Sequence, residues 1–154
     1  MTTVEQIATR IGGCAPVRAI GGDRWFKAQA PEDVRKQFDH HVARRTGMPF
    51  VVWLETETDE FRHLRGPTGI AMARLEIEVF GEPHGLTDDL VTQIRLVSHG
   101  RTAIVKGKRV NEMTITSTSR NVIRPSDGSE VGVYNVSIDL EIWFERSTVA
   151  AATI

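Results

Sequence analysis

The stretch "ARLEIEVF", residues 73–80, sets Leu75, Ile77 and Val79 on one side of a period-two repeat and Arg74, Glu76 and Glu78 on the other. Near the end of the chain "SIDLEIWFE" repeats the device, with Ile138, Leu140, Ile142 and Phe144 against Asp139, Glu141, Trp143 and Glu145. Successive side chains of a strand point to opposite faces, so each run describes a strand with one dry side and one charged side. Two such strands demand a sheet covered on one face, and the cover has to come from elsewhere in the chain.

Helical periodicity supplies that cover. Val4, Ile7, Ala8 and Ile11 recur at helical spacing between Thr2 and Ile11, and Gly12-Gly13 provides a stop. In "EPHGLTDDLVTQIRLVSHG" Thr87 is the expected N-cap, with Asp88 and Asp89 in the first turn. Leu86, Leu90, Ile94 and Val97 then follow along one face, and Gly100 lies beyond the end. A further helix is expected at 31–47, where Pro31 and two acidic residues open the segment and Arg44, Arg45 and Gly47 close it. Its apolar set, Val34, Phe38 and Val42, is thin, which suits a surface or lid-like insertion. Residues 14–30 read as irregular, with a turn at Gly21-Gly22 and a short extended piece around Trp25 and Phe26.

Period two begins at Pro49. "FVVWLETET" and "EFRHLR" read as strand, turned at "GPTG" (66–69) into the strand that runs to about Phe80. Two long strands, about 110–123 and 130–145, surround "RPSDGSE", whose Asp127-Gly128 is a strong hairpin signal. Centring the turn there pairs Ile115 with Leu140 and Met113 with Ile142, on the face that carries Ile138 and Phe144. Thr114, Thr116, Asp139, Glu141 and Trp143 fall on the other face. The expected order is helix, strand, strand, helix, strand, strand. This is one α+β domain over residues 1–154, a mostly antiparallel sheet with helices packed on one face and a long C-terminal β-hairpin. A helical insertion at about 31–47 and a short tail at 147–154 complete it. The expected core is Leu75, Ile77, Val79, Leu90, Ile94, Ile138, Leu140 and Ile142.

Composition narrows the function classes. A chain of 154 residues suits one domain. Its 19 basic and 20 acidic residues are interleaved, unlike the basic stripe of a dedicated nucleic-acid binder. One cysteine, Cys14, allows neither an internal disulfide nor a cysteine-rich zinc site, and reads as a small apolar residue. The opening "MTTVEQIATRIGG" lacks the pattern of a secretory leader, and no stretch approaches the roughly 20 apolar residues of a spanning helix. The expected setting is soluble and cytoplasmic, with no membrane partner.

No catalytic or metal constellation emerges. His40 and His41 are adjacent, so on a helix they point about 100° apart, and His63, His84 and His99 come singly from different elements. Asp88 and Asp89 are explained by their place in a helix's first turn. The glycine pairs and "GPTG" lack the spacing of a nucleotide loop. The hydroxyls of "TITSTS", 114–119, have no neighbouring base, and beyond Ile115 that stretch holds little to bury. Such a strand pair, polar on both faces, is expected to project toward solvent or a partner. The charged face of the first strand is either the wet side of a half-buried sheet or a subunit interface.

From "RHLRGPTGIAMARLEIEVFG" through "LTDDLVTQIRLVSHG" to "YNVSIDLEIWFE" the chain resembles the tail terminator, or tail completion, family of long-tailed bacteriophages. The matching positions are Gly69, Arg74, Ile77, Val79 and Phe80, then Tyr134, Val136, Ile138, Asp139, Leu140, Ile142 and Trp143, within about residues 48–146. The insertion at 31–47 and the tail "STVAAATI" depart from the family's compact pattern. The resemblance implies a virion structural protein without catalysis or cofactor, made in the host bacterial cytoplasm. Its subunits would form a ring, commonly six around an axis, that caps the head-proximal end of the tail tube. Its partners would be the major tail tube protein and the head-completion or connector protein, with DNA passing through the lumen without specific binding. A ring needs one patch of each subunit to meet a different patch of its neighbour. The residues expected at subunit or tube contacts are Arg74, Glu76, Glu78, Thr116, Thr118, Arg120, Glu141 and Trp143. The alternatives are a neck or head-completion protein on the portal side, and a small α+β enzyme or ligand-binding module.

Overall fold

The computed structural model describes residues 2–29, 49–63, 66–81, 85–105, 108–123 and 133–145, with backbone only at 57–63, 66–69, 123 and 133. The expected insertion at 31–47, the tail at 147–154 and the Asp127-Gly128 turn lie outside these residues.

Helix α1, Thr3–Gly13, starts at a capping box: the Glu5 amide donates to Thr2 Oγ1 at 3.1 Å, and the Thr2 amide donates to Glu5 Oε2 at 3.2 Å. Its apolar stripe, Val4, Ile7, Ala8 and Ile11, is buried as the spacing requires. Residues 15–21, expected to be irregular, form a second helix, α2 (Ala15–Gly21), with Pro16 in its first turn and Gly22 at φ 56° ending it. Cys14 joins the two helices; its thiol donates to the Arg10 carbonyl at 3.2 Å and it packs against the core.

The strands are β1 (Trp25–Lys27), β2 (Phe50–His63), β3 (Gly66–Gly81), β4 (Ala103–Val105), β5 (Lys108–Ile123) and β6 (Val133–Glu145), and helix α3 (Leu86–Ser98) follows β3. They make one six-stranded sheet in the order β1-β2-β3-β6-β5-β4, antiparallel throughout except for the β1–β2 pair. The three described helices gather on one side of the sheet: α1 packs on β2, β3 and β4, α3 on β3 and β5, and α2 on α1 and α3. The architecture is α+β, and the eight expected core residues are all at most 1% exposed.

The register of the closing hairpin is the expected one near its base, with Ile115 opposite Leu140 and Met113 opposite Ile142. Several local expectations fail. "GPTG" is not a turn, because β3 already begins at Gly66, paired with His63. Thr87 is not the N-cap of α3; Gly85 takes that place at φ 57°, and Thr87 is buried in the first turn, where a Cβ on Gly81 would run into its hydroxyl. Leu86 is exposed rather than on the core face. The final hairpin does not project as a strand pair polar on both faces. β6 is central, paired with β3 without a break from Ile70↔Glu145 to Gly81↔Tyr134, and it buries Tyr134, Val136 and Ile138. Among the described residues near its far end, the exposed ones are on β5, at Thr116, Ser117 and Ser119 to Val122.

One close contact fixes how α1 meets the sheet. A Cβ on Gly12 would lie 2.6 Å from carbons of the Trp25 indole, so the helix backbone rests directly on that ring. Gly12→Ala should therefore cost about 1–3 kcal/mol by overpacking. Gly13→Ala, with nothing within 4 Å of its Cβ, should be close to neutral. Denaturant melts of the two variants check the contact, and equal midpoints would contradict it.

Candidate assembly surface

The sheet face opposite the helices carries most of the residues expected at contacts. Arg74 lies opposite Glu141, Glu76 opposite Asp139, Glu78 opposite Ser137 and Met72 opposite Trp143. The β3 and β6 backbones thus align two rows of polar groups into one strip, because the period of a strand and an unbroken register leave no alternative. Carboxylates dominate it. Ser137 Oγ donates to Glu76 Oε1 at 3.3 Å, and the Trp143 indole N–H donates to Glu141 Oε1 at 2.6 Å, so the half-buried indole is oriented by its neighbour on the same strand.

Both ends of the strip are apolar. At one end Phe50 and Phe80 stack with ring centroids 5.0 Å apart, and Phe26 and Val52 pack against them. At the other, Met72 is buried beside the Trp143 register position although it is on the outer face. A sheet face that only met water would not need a ring stack at one end and a buried methionine at the other.

Thr118 and Arg120 are elsewhere. An extra residue between Ile115 and Ser117 puts Thr116 in a bulge and shifts the parity of β5 beyond it, so Thr118 faces Ile138 and Arg120 faces Val136 on the helix side. Arg95 Nη1, from α3, donates to Thr118 Oγ1 at 2.7 Å. Near Arg120, Tyr134 donates to Asp88, and burial with that carboxylate raises the Tyr134 pKa above its ordinary value. Asp88 is thereby occupied as a helix-start residue and a tyrosine partner. The bulge could not be read from a hydrophobic pattern, since the stretch "TSTSRN" is polar throughout.

Burial and the adjacent Glu76 raise the pKa of Glu78. A carboxyl with a raised folded-state pKa binds its proton more tightly when folded. Its ionisation therefore destabilises the protein above that pKa, and the penalty disappears below the unfolded value. Glu78→Gln should accordingly raise the melting temperature at pH 7 and give no gain at about pH 3, below the ordinary glutamate range. An equal gain at both values would contradict the burial of this charge.

Among the described residues no three His, Cys, Asp or Glu side chains gather as metal ligands. His40, His41 and His84 lie outside the described residues, as does the side chain of His63. His99 is structural: its Nδ1 accepts from the Ile115 amide at 3.0 Å. A cleft of about 300 Å³ between α1, α3 and β4 is lined by Ile7, Ile11, Val97 and Met113 together with Arg10 and Arg101. Both guanidinium groups are engaged by backbone carbonyls, of Ile104 at 2.7 Å and Leu96 at 3.2 Å. No helix among the described residues is long and apolar enough to cross a membrane.

No protein-family model matches this chain, and no curated protein matches it. Among solved structures, a chain in the virion of the native gene transfer agent (GTA) particle is similar in fold. Its TM-score is 0.58 and its identity 12%, over 90% of this chain and 91% of that one.

Proposed function

We propose that this protein is a structural component of a phage-like virion, and more narrowly the ring-forming subunit that ends the tail tube on its head-proximal side and joins it to the head connector. The observation that carries the reading is the similarity in fold, across nine-tenths of both chains, to a chain of a gene transfer agent virion. The resemblance of the strand and helix wording to tail terminators supports the narrower role. The outer face supports it too, because a strip of ordered charges flanked by apolar ends is a surface built to be covered in part by protein. Its carboxylates also suit a passage for DNA, whose phosphates they would not retain.

The ring carries one subunit's patch onto a different patch of the next, and the outer strip of β3 and β6 serves contacts with neighbouring subunits or with the tube. Polymerisation of the major tail tube protein tests the role. Added in increasing amounts, this protein should shorten the tubes and become bound to them in substoichiometric quantity. Tubes of unchanged length with the protein left in solution would overturn the reading, and binding to portal complexes alone would make it a head-completion protein instead.

A further inference from the structure

Among the described residues the sheet does not close, and its two open edges differ. On β5, residues 108–110 are covered by β4. Met113 is covered by the loop after α3, through the Gly100 amide to the Met113 carbonyl at 2.7 Å and the Met113 amide to the Arg101 carbonyl at 3.2 Å. The Ile115 amide is taken by His99. From Ser117 to Ile123, seven residues in regular register with β6, no described residue pairs with the outer side of β5. That stretch has none of the usual guards of an edge strand: no proline, no lysine, no bulge beyond its first residue, and one charge, Arg120. On the opposite side of the sheet β1 covers only Val51–Trp53 of β2, so the outer side of β2 from Leu54 to His63 has no strand beside it among the described residues.

The two edges are complementary. The β2 sequence from Glu55 to Glu60 holds four carboxylates and no basic residue, Glu55 and Glu60 in register with the helix-side positions Leu75 and Ala71, Glu57 and Asp59 with the outer-face positions Arg74 and Met72. Arg120 and Arg95, whose guanidinium is bonded to Thr118, flank the free stretch of β5, and Arg101 and Arg109 lie farther along the same side. Exposed apolar side chains mark both edges as well: Leu54 is 46% exposed on β2, Val122 50% on β5 and Ile104 66% on β4.

We infer that the partner of the open β5 edge is the acidic β2 edge of a second copy of this chain, so that neighbouring subunits join strand to strand and the sheet continues from one to the next. This rests on the ring reading and specifies its joint. Pairing of β5 with β5 would bring Arg120 of one copy toward Arg120 of another, whereas β5 with β2 sets basic against acidic. Because the two edges differ and lie on opposite sides of the sheet, the contact is heterologous and can repeat around an axis. The bonds themselves are main-chain, as in strand addition generally, and the charges select the edge.

Singly blocked subunits test the joint. Glu55→Lys with Glu60→Lys reverses the β2 charges on the helix side, where Arg120 lies, and leaves β5 intact; Ser119→Glu with Asn121→Glu, at two exposed positions of β5 on the outer face, sets charge against Glu57 and Asp59 and leaves β2 intact. Light scattering should find a ring for the unaltered protein and, for each folded variant alone, a monomer of 17.2 kDa. An equimolar mixture of the two should give a one-to-one dimer, since one good edge of each kind remains. Rings that persist in either variant, a variant that dimerises alone, or a mixture that stays monomeric would overturn the inference while leaving the ring reading standing. An unaltered protein that never forms a ring would overturn both.

Discussion

Leu140→Ala should lower the unfolding free energy by roughly 2–5 kcal/mol, the range for deleting a buried leucine where the surroundings only partly collapse. Leu140 is 1% exposed and sits between Leu75 of β3 and Ile115 of β5, at the middle of the central three strands. Because β6 is paired along both sides, little can move inward to fill the space. Leu96, 57% exposed on α3, is the control: Leu96→Ala should stay within about 0.5 kcal/mol. Urea melts followed by circular dichroism give both numbers. A neutral Leu140→Ala would mean that the register of β6 is wrong, and with it the division of the sheet into a dry and a charged face.

The largest functional effect is expected from the outer strip. Arg74 and Glu141 are register partners, so exchanging their charges in Arg74→Glu with Glu141→Arg keeps an opposite-charge pair across β3 and β6, at the cost of a like charge opposite Glu57 on β2, while inverting the pattern that a neighbour meets. Adding Trp143→Ala removes the indole that Glu141 orients. Stable interfaces bury about 800 Å² per partner, and an oriented aromatic among charges is the kind of anchor that carries them. The triple variant should keep its circular dichroism spectrum yet fail in tail completion, yielding tails of uncontrolled length or tails that do not join heads. A variant that still completes tails would place the contact elsewhere and leave the strip as the wet side of the sheet.

What the sequence made legible follows from period and pairing. Leu75, Ile77 and Val79 could be assigned to the core because a strand has only two sides; Ile115↔Leu140 was reached by centring a turn on Asp127-Gly128, yet the pairs from Ser117↔Asp139 to Ile123↔Val133 run one residue out of that register and the bulge at Thr116 restores it. The failures share a different cause. α2 is seven residues long and buries only Val17 and Gly21, too little for a helical stripe to show. Thr87 has the chemistry of a cap, but Gly85 can take a positive φ that threonine resists, and the hydroxyl is drawn instead against Gly81. β4, three residues long, carries no period at all. The candidate contact residues were named as a set, and the structure divides them between the two faces. Arg74, Glu76, Glu78, Glu141 and Trp143 share the outer face, while the bulge at Thr116 carries Thr118 and Arg120 to the other. A polar stretch has the same pattern in either phase, so nothing in its residues announces the bulge.

In the proposed role this chain closes into a ring on the end of a tail tube. Electron micrographs of the purified protein mixed with preformed tail tubes test it most directly. Ring-shaped particles should appear free in the background, and a single added layer should cap one end of each tube with none along its sides. Tubes with bare ends beside a monodisperse population of single subunits would overturn that role.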